Sequence, residues 1–235
     1  MIKEAIQYIV GLGNKDVVDV NLQTYATDKL HLIEAPTPDV LEVHSLSGLV
    51  DYLDSHFDGD DPIMIHIKSP TEVTAYSSVN QDYNRNKWIT AQAMLPSFRF
   101  DNWYDTENFN IKLQSCFVKN DDRDVMLKVV GNITEDQVKT VSDDGVSQAV
   151  VAKVGVAAVG NVEVPNPVAL APYRTFVEVV QPESNFIFRM QSGPKCALFE
   201  ADGGAWKHKA IENIRNYLTD SLQTEIGAGR ITIIA

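Results

Sequence analysis

Residues 154–173, VGVAAVGNVEVPNPVALAPY, hold one charged side chain, Glu163, in a chain whose 32 acidic residues outnumber its 20 basic ones. Pro165, Pro167 and Pro172 each fix φ and remove an amide donor, so the strip cannot run as a helix. It must be extended, and its apolar side chains need cover. The simplest cover is another copy of the chain, because symmetric self-association is the commonest fate of such surfaces. The strip is therefore expected to act as an inter-subunit arm or groove lining, with Val164, Pro165, Pro167, Val168, Leu170, Pro172 and Tyr173 at the interface.

With 235 residues the chain can bury one large core or two modest ones without disulfide staples. Cys116 and Cys196 lie far apart in sequence, without a CxxC pair, and read as buried small hydrophobes in a reducing compartment. A formal charge of −12 opposes direct nucleic-acid binding, which relies on lysine and arginine to displace counterions from phosphates. Acidity of this size mostly serves solubility, and mimicry of nucleic acid is the sharper alternative. The opening residues MIKEAIQYIVGLGNKD lack the apolar core and cleavage pattern of a signal peptide. No apolar run approaches the ~20 residues that cross a bilayer, so no membrane association is expected and the cytosol is the expected location.

Ile2, Ala5, Ile6, Ile9 and Val10 recur at helical spacing, which predicts a short helix over residues 2–10. Val18, Val20 and Leu22 alternate with polar residues as a half-buried strand, and residues 29–34 supply its hairpin partner. Ser45 can cap a helix running to about Phe57. Strands follow at residues 63–67, 72–79 and 87–94, with a turn at 82–86. Residues 105–117 and 121–130 read as helices, with Gly131 placed for a C-terminal cap. Residues 137–141 and 146–154 flank SDDG, a hairpin signal. Three more strands are expected at 174–180, 186–190 and 196–201, then a long C-terminal helix through Trp206, Ala210, Ile214, Leu218 and Leu222, and an edge strand over 230–235. The fold class is α+β, mainly antiparallel sheet with four or five helices. One domain spans 1–235, the only plausible division being an N-terminal module 1–80 and a sheet-rich core 81–235.

No pattern in the chain carries a reaction. His31, His44, His56, His66 and His208 never approach ligand spacing, Gly11-Leu12-Gly13 follows a helix where a dinucleotide fingerprint must follow a strand, and Ser147, Ser184 and Ser192 lack a nucleophile elbow. Asp58-Gly59-Asp60-Asp61 is too short for a calcium loop, and Asp121, Asp122 and Asp124 suit the first turn of a helix. No cofactor is called for. The densest cluster is FEADGGAWKHK at 199–209, where a strand delivers two carboxylates to a Gly203-Gly204 turn at a helix start. Helix N-termini hold anions, and Lys207 adds a cation, so an anionic ligand could be gripped by Arg174, Arg189, Gly203, Gly204 and Lys207. The alternatives are that Asp202 simply caps the helix and that Arg174 and Arg189 pair with Glu178 or Glu200 across the sheet. A magnesium-dependent phosphodiesterase at Glu200 and Asp202 is a third possibility, without an identifiable third carboxylate.

The segments DDGVSQ at 143–148, VPNPVALAPYRTFVEVVQPES at 164–184 and LFEADGGAWK at 198–207 resemble the YfdQ-like family of phage and prophage proteins over about residues 88–222. The resemblance implies a phage-encoded protein working in the bacterial host cytosol, and it carries no catalytic residues over to this chain. Together with the charge-poor ribbon it leads to the expectation of a non-enzymatic accessory protein that assembles with itself. The alternative is an anti-defence binder that sequesters a host protein or an anionic nucleotide.

Overall fold

The computed structural model describes residues 2–12, 17–20, 23–26, 37–80, 83–131, 151–153, 161–164, 166–191, 193 and 195–235. The chain forms two compact units, Met1–Thr37 and Pro38–Ala235. The polar interval near residue 80 lies inside a hairpin of the second unit.

The first unit contains α1 (Ile2–Leu12) and the antiparallel pair β1 (Val17–Val20) and β2 (Gln23–Ala26). β1 pairs with β2 so that Val20 lies opposite Gln23, and the end of the expected strand at Leu22 lies outside the described residues. The partner strand expected at 29–34 lies outside the described residues.

In the second unit the elements are β3 (Leu41–Val43), α2 (Leu46–Asp54), β4 (Ile63–Ser69), β5 (Glu72–Val79), β6 (Arg85–Gln92), β7 (Tyr104–Asp105), α3 (Thr106–Cys116) and α4 (Asp121–Gly131), followed by β8 (Val151–Lys153), β9 (Asn161–Glu163), β10 (Val168–Leu170), β11 (Ser184–Gln191), β12 (Lys195–Glu200), α5 (Trp206–Ser221), α6 (Gln223–Gly227) and β13 (Ile231–Ile234). The fold is α+β. Six helices occur among the described residues, one or two more than expected, because the chain turns at Leu222 and adds the five-residue α6.

A five-stranded sheet has the order β13-β4-β5-β6-β3. Its centre is antiparallel, but β13 runs parallel to β4 and β3 parallel to β6. Ile65 and Ile67, Val73 and Ala75, and Ile89 and Ala91 share one face because side chains two apart point the same way. Leu46, Leu49 and Leu53 of α2 and Ile214, Leu218 and Leu222 at the C-terminal helix cover that face. Ser45 caps α2 by accepting a hydrogen bond from Gly48 N–H, as its sequence position predicts.

The other large sheet has the order β10-β11-β12-β7. Phe186, Phe188 and Met190 alternate along β11 toward a core completed by Phe109, Leu113, Met126 and Val129 of α3 and α4. The β11–β12 hairpin turns through Gly193, whose φ of 81° suits glycine. The acids at the start of α4 have the structural use expected of them: Asp122 Oδ2 accepts the Ala169 N–H at 2.8 Å, while Asn120 Nδ2 donates to the Ala169 carbonyl at 2.9 Å. Those two contacts close the outer edge of β10. The SDDG hairpin lies outside the described residues, and β8, the end of its second predicted strand, pairs antiparallel with β9.

The described part of the ribbon is sheltered mostly by its own chain. Val164, Val168 and Leu170 are buried in the core of α3, α4 and β11, and Pro172 is buried beside Phe117, with which it forms an isolated bridge. Pro167 is exposed, Tyr173 is half-buried with its N–H donated to the Cys116 carbonyl, and Pro165 and residues 154–160 lie outside the described residues. Of the residues expected at an interface, Val164, Val168, Leu170 and Pro172 fill this chain's own core, whereas Pro167 and part of Tyr173 remain at the surface.

Residues 174–180 do not form the expected strand. Arg174, Thr175 and Phe176 are all buried in succession, which strand alternation forbids for a one-sided sheet, and Val179 N–H turns back to the Phe176 carbonyl. The cause is Gln181, only 8 % exposed. Its Oε1 accepts the N–H groups of Arg174 and Thr175 at 2.9 and 3.2 Å, and its Nε2 donates to the carbonyls of Phe176 and Val179 at 2.9 and 3.2 Å. One side chain thus replaces a sheet ladder. The chain leaves one core after Leu170 and inserts Phe176 and Val179 into the other, while Thr175 Oγ1 donates to the Pro70 carbonyl.

Candidate functional site

Of the residues singled out around the Gly-Gly turn, Arg174, Glu200 and Asp202 come together. Arg174, at the head of the Gln181 loop, is 94 % buried by its 6 % exposure, and its Nη1 donates to Glu200 Oε1 at 2.7 Å. Its Nη2 donates to Ser184 Oγ, and Ser184 Oγ donates to Asp202 Oδ2 at 2.6 Å. A continuous chain Glu200–Arg174–Ser184–Asp202 therefore ties the end of β12 to the start of β11 and to the turn before α5. The guanidinium also stacks on the Trp206 indole, 4.0 Å from the ring centroid, and stands 5.6 Å from that of Phe186. Burial lowers the Arg174 pKa from its ordinary value, opposed by the charges of Glu200 and Asp202.

Asp202 Oδ1 accepts the Gly204 N–H at 3.0 Å. Burial opposes ionisation of this carboxyl, yet Ser184, the Gly204 and Trp206 amides and the Arg174 charge together hold its pKa below the usual carboxylate value. Gly203 and Gly204 have φ of 63° and 81°, a left-handed pair that lets the chain reverse between β12 and α5. Asp202 is not the expected cap of α5, whose N-cap is Ala205 without a side-chain bond; it accepts the Gly204 N–H inside the preceding turn. Lys209 is neutralised by Glu212 at 2.7 Å.

The anion-binding set is only partly assembled. Arg174 stands at the turn but its charge is already shared between Glu200 and, through Ser184, Asp202. Lys207 is exposed, its Nζ 5.9 Å from the Trp206 ring centroid. Arg189 sits in β11 opposite Ala197, an odd number of residues from Ser184 and so on the other face of the strand, about 17 Å along it. Glu178, expected on a strand face with Arg174, instead accepts the Leu46 and Ser47 N–H groups at 2.8 and 3.3 Å and neutralises the N-terminus of α2. The pairing of Arg174 with Glu200 is one the sequence reading offered. Ser184 and Gln181, which hold the arrangement together, carried no sequence signal: a serine after Pro-Glu and a glutamine before it look like loop filler.

Beside the cluster lies an open cleft of about 340 Å³, lined by Glu183, Ser184, Asn185, Asp202, Trp206 and Lys209. Ser184 is 5 % exposed. The carboxylates of Glu183 and Asp202 give this cleft an acidic lining. Glu200 Oε1 and both Asp202 oxygens already accept hydrogen bonds from the chain itself, and among the described residues no group of three His, Cys, Asp or Glu side chains is arranged to hold a metal ion. Cys116 and Cys196 are buried free thiols, and burial, with Asp105 nearby, pushes the Cys196 pKa up to about 12. Among the described residues no helix is long and apolar enough to cross a membrane. No family model matches the chain, and neither a curated protein nor a solved structure matches it.

Proposed function

We propose that the protein is a non-enzymatic, self-associating component, an accessory protein of the phage type that the sequence resemblance suggests, acting in the host cytosol. The observation that carries this reading is the outer edge of the five-stranded sheet. β13, Ile-Thr-Ile-Ile, ends the sheet and bears no charged side chain in a protein of net charge −12. Like-charged copies repel unless they meet where charge is missing, and an uncharged edge strand is such a place. The polar cluster supports the same reading: its carboxylates, hydroxyl and guanidinium bond to one another, which suits a structural staple. The acidic lining of the neighbouring cleft weighs against an anionic nucleotide there. Light scattering on the full chain at micromolar concentration tests the proposal. A mass at a whole multiple of 26.1 kDa is expected, and a mass that stays at the single-chain value overturns it.

A further inference from the structure

We propose that two copies join edge to edge through β13, antiparallel about a twofold axis at Thr232, so that the five-stranded sheet of one copy continues into the other. The inference rests on the self-association reading and names its contact. β13 is bonded on one side only. Ile63 N–H donates to the Arg230 carbonyl at 2.8 Å, and in a parallel ladder bonding alternates, so Arg230, Thr232 and Ile234 address β4 while Ile231 and Ile233 direct N–H and C=O outward. Among the described residues nothing bonds to those outward groups.

Proteins that stay monomeric blunt such edges with charge, proline, a bulge or a covering element. The other large sheet follows that rule, since Asp122 and Asn120 occupy the outward groups of Ala169 on β10. At its far edge the five-stranded sheet ends on β3, only three residues long and bearing Glu42. β13, four residues long, carries no charge, proline or bulge, and among the described residues no element covers it. Residues 226–235, IGAGRITIIA, contain one charged side chain, Arg230, and its Nη1 is paired with Glu225 at 2.9 Å. A second copy meets no uncompensated charge along this stretch, whereas a basic partner would find nothing to recognise.

The edge is also held in place before any partner arrives. Arg230 donates to the Leu53 carbonyl at 2.9 Å and to the Gly59 carbonyl at 3.3 Å. Ile231 is 2 % exposed and Ile233 packs on the same core, so little ordering is left for association to impose. With Thr232 on the axis, Ile231 of one copy faces Ile233 of the second copy and the reverse. In this register every outward group of β13 finds its partner within β13.

The test combines a charge at the axis with a backbone readout. Thr232 is exposed, so Thr232→Glu sets a carboxylate against its own copy without touching the core. It is expected to weaken self-association about tenfold or more while leaving circular dichroism unchanged. Thr232→Val, which keeps a β-branched side chain, is expected to associate as the parent does. In the parent chain the amides of Ile231 and Ile233 are expected to gain protection from hydrogen exchange as concentration rises. An oligomer whose affinity ignores Thr232→Glu and whose two amides stay unprotected overturns this contact and leaves self-association standing. A parent chain that remains single overturns both.

Discussion

Replacing Gln181 by leucine removes four hydrogen bonds at once without changing side-chain length by more than an atom. The amide accepts two backbone N–H groups and donates to two backbone carbonyls, all within the loop 174–179. A buried polar group left unpaired costs about 1–3 kcal/mol. Taking the low end for each of the four groups, because Val177 and Val180 are 73 % and 78 % exposed and water can reach part of the loop, gives about 4 kcal/mol. Glutamate at the same position keeps both acceptor roles but sets its second carboxylate oxygen against the Phe176 and Val179 carbonyls and buries a charge, so at neutral pH it should cost at least as much as leucine. The assay is urea unfolding with linear extrapolation, followed by far-ultraviolet circular dichroism. Val177→Ser serves as the surface control and should stay within about 0.5 kcal/mol of the parent. If leucine at 181 costs less than about 1 kcal/mol, Gln181 does not hold this loop and the reason given for the missing strand is wrong.

Two further outcomes follow from the polar cluster and the core. Because the Asp202 pKa is lower folded than unfolded, its ionised form stabilises the protein above the ordinary aspartate value of about 3.9, and that contribution is lost as pH falls through the depressed value. Asp202→Asn should therefore be less stable than the parent near neutrality, and the gap should narrow in urea titrations carried toward pH 2. Cys196, with its thiol pKa raised to about 12 and its side chain sealed in the core, should resist iodoacetamide in the folded protein at pH 8 and react once urea is added. Mass spectrometry of the peptide carrying Cys196 reads the difference, and rapid labelling of the folded chain would contradict the packing described.

Where local pattern and tertiary packing agree, the sequence was readable. Ile63, Ile65 and Ile67 alternate because β4 buries one face, Ser45 caps α2, and Ala210, Ile214 and Leu218 form the buried stripe of α5. The run RTFVEVV has strand composition, but a single buried amide seven residues on from Arg174 diverts it into a loop. Composition carries no trace of that diversion. Nor does it say who covers an apolar ribbon: Val164, Val168 and Leu170 pack on their own α3 and α4, and the same pattern would serve an interface between copies. Parallel pairing of β13 with β4 joins residues far apart in sequence, and four apolar residues cannot announce their neighbour. In the polar cluster, the Arg174–Glu200 pair was foreseeable from charge, whereas its link to Asp202 depends on Ser184, whose role emerges only when β11 and the Gly-Gly turn are brought together.

Sedimentation equilibrium of the full chain, over roughly 1 to 100 µM and at low and moderate salt, tests the central claim most directly. Association should appear as a mass above one chain, rising with concentration, and salt should strengthen it by screening the net charge of −12. A single species of one chain at every concentration and salt would contradict it.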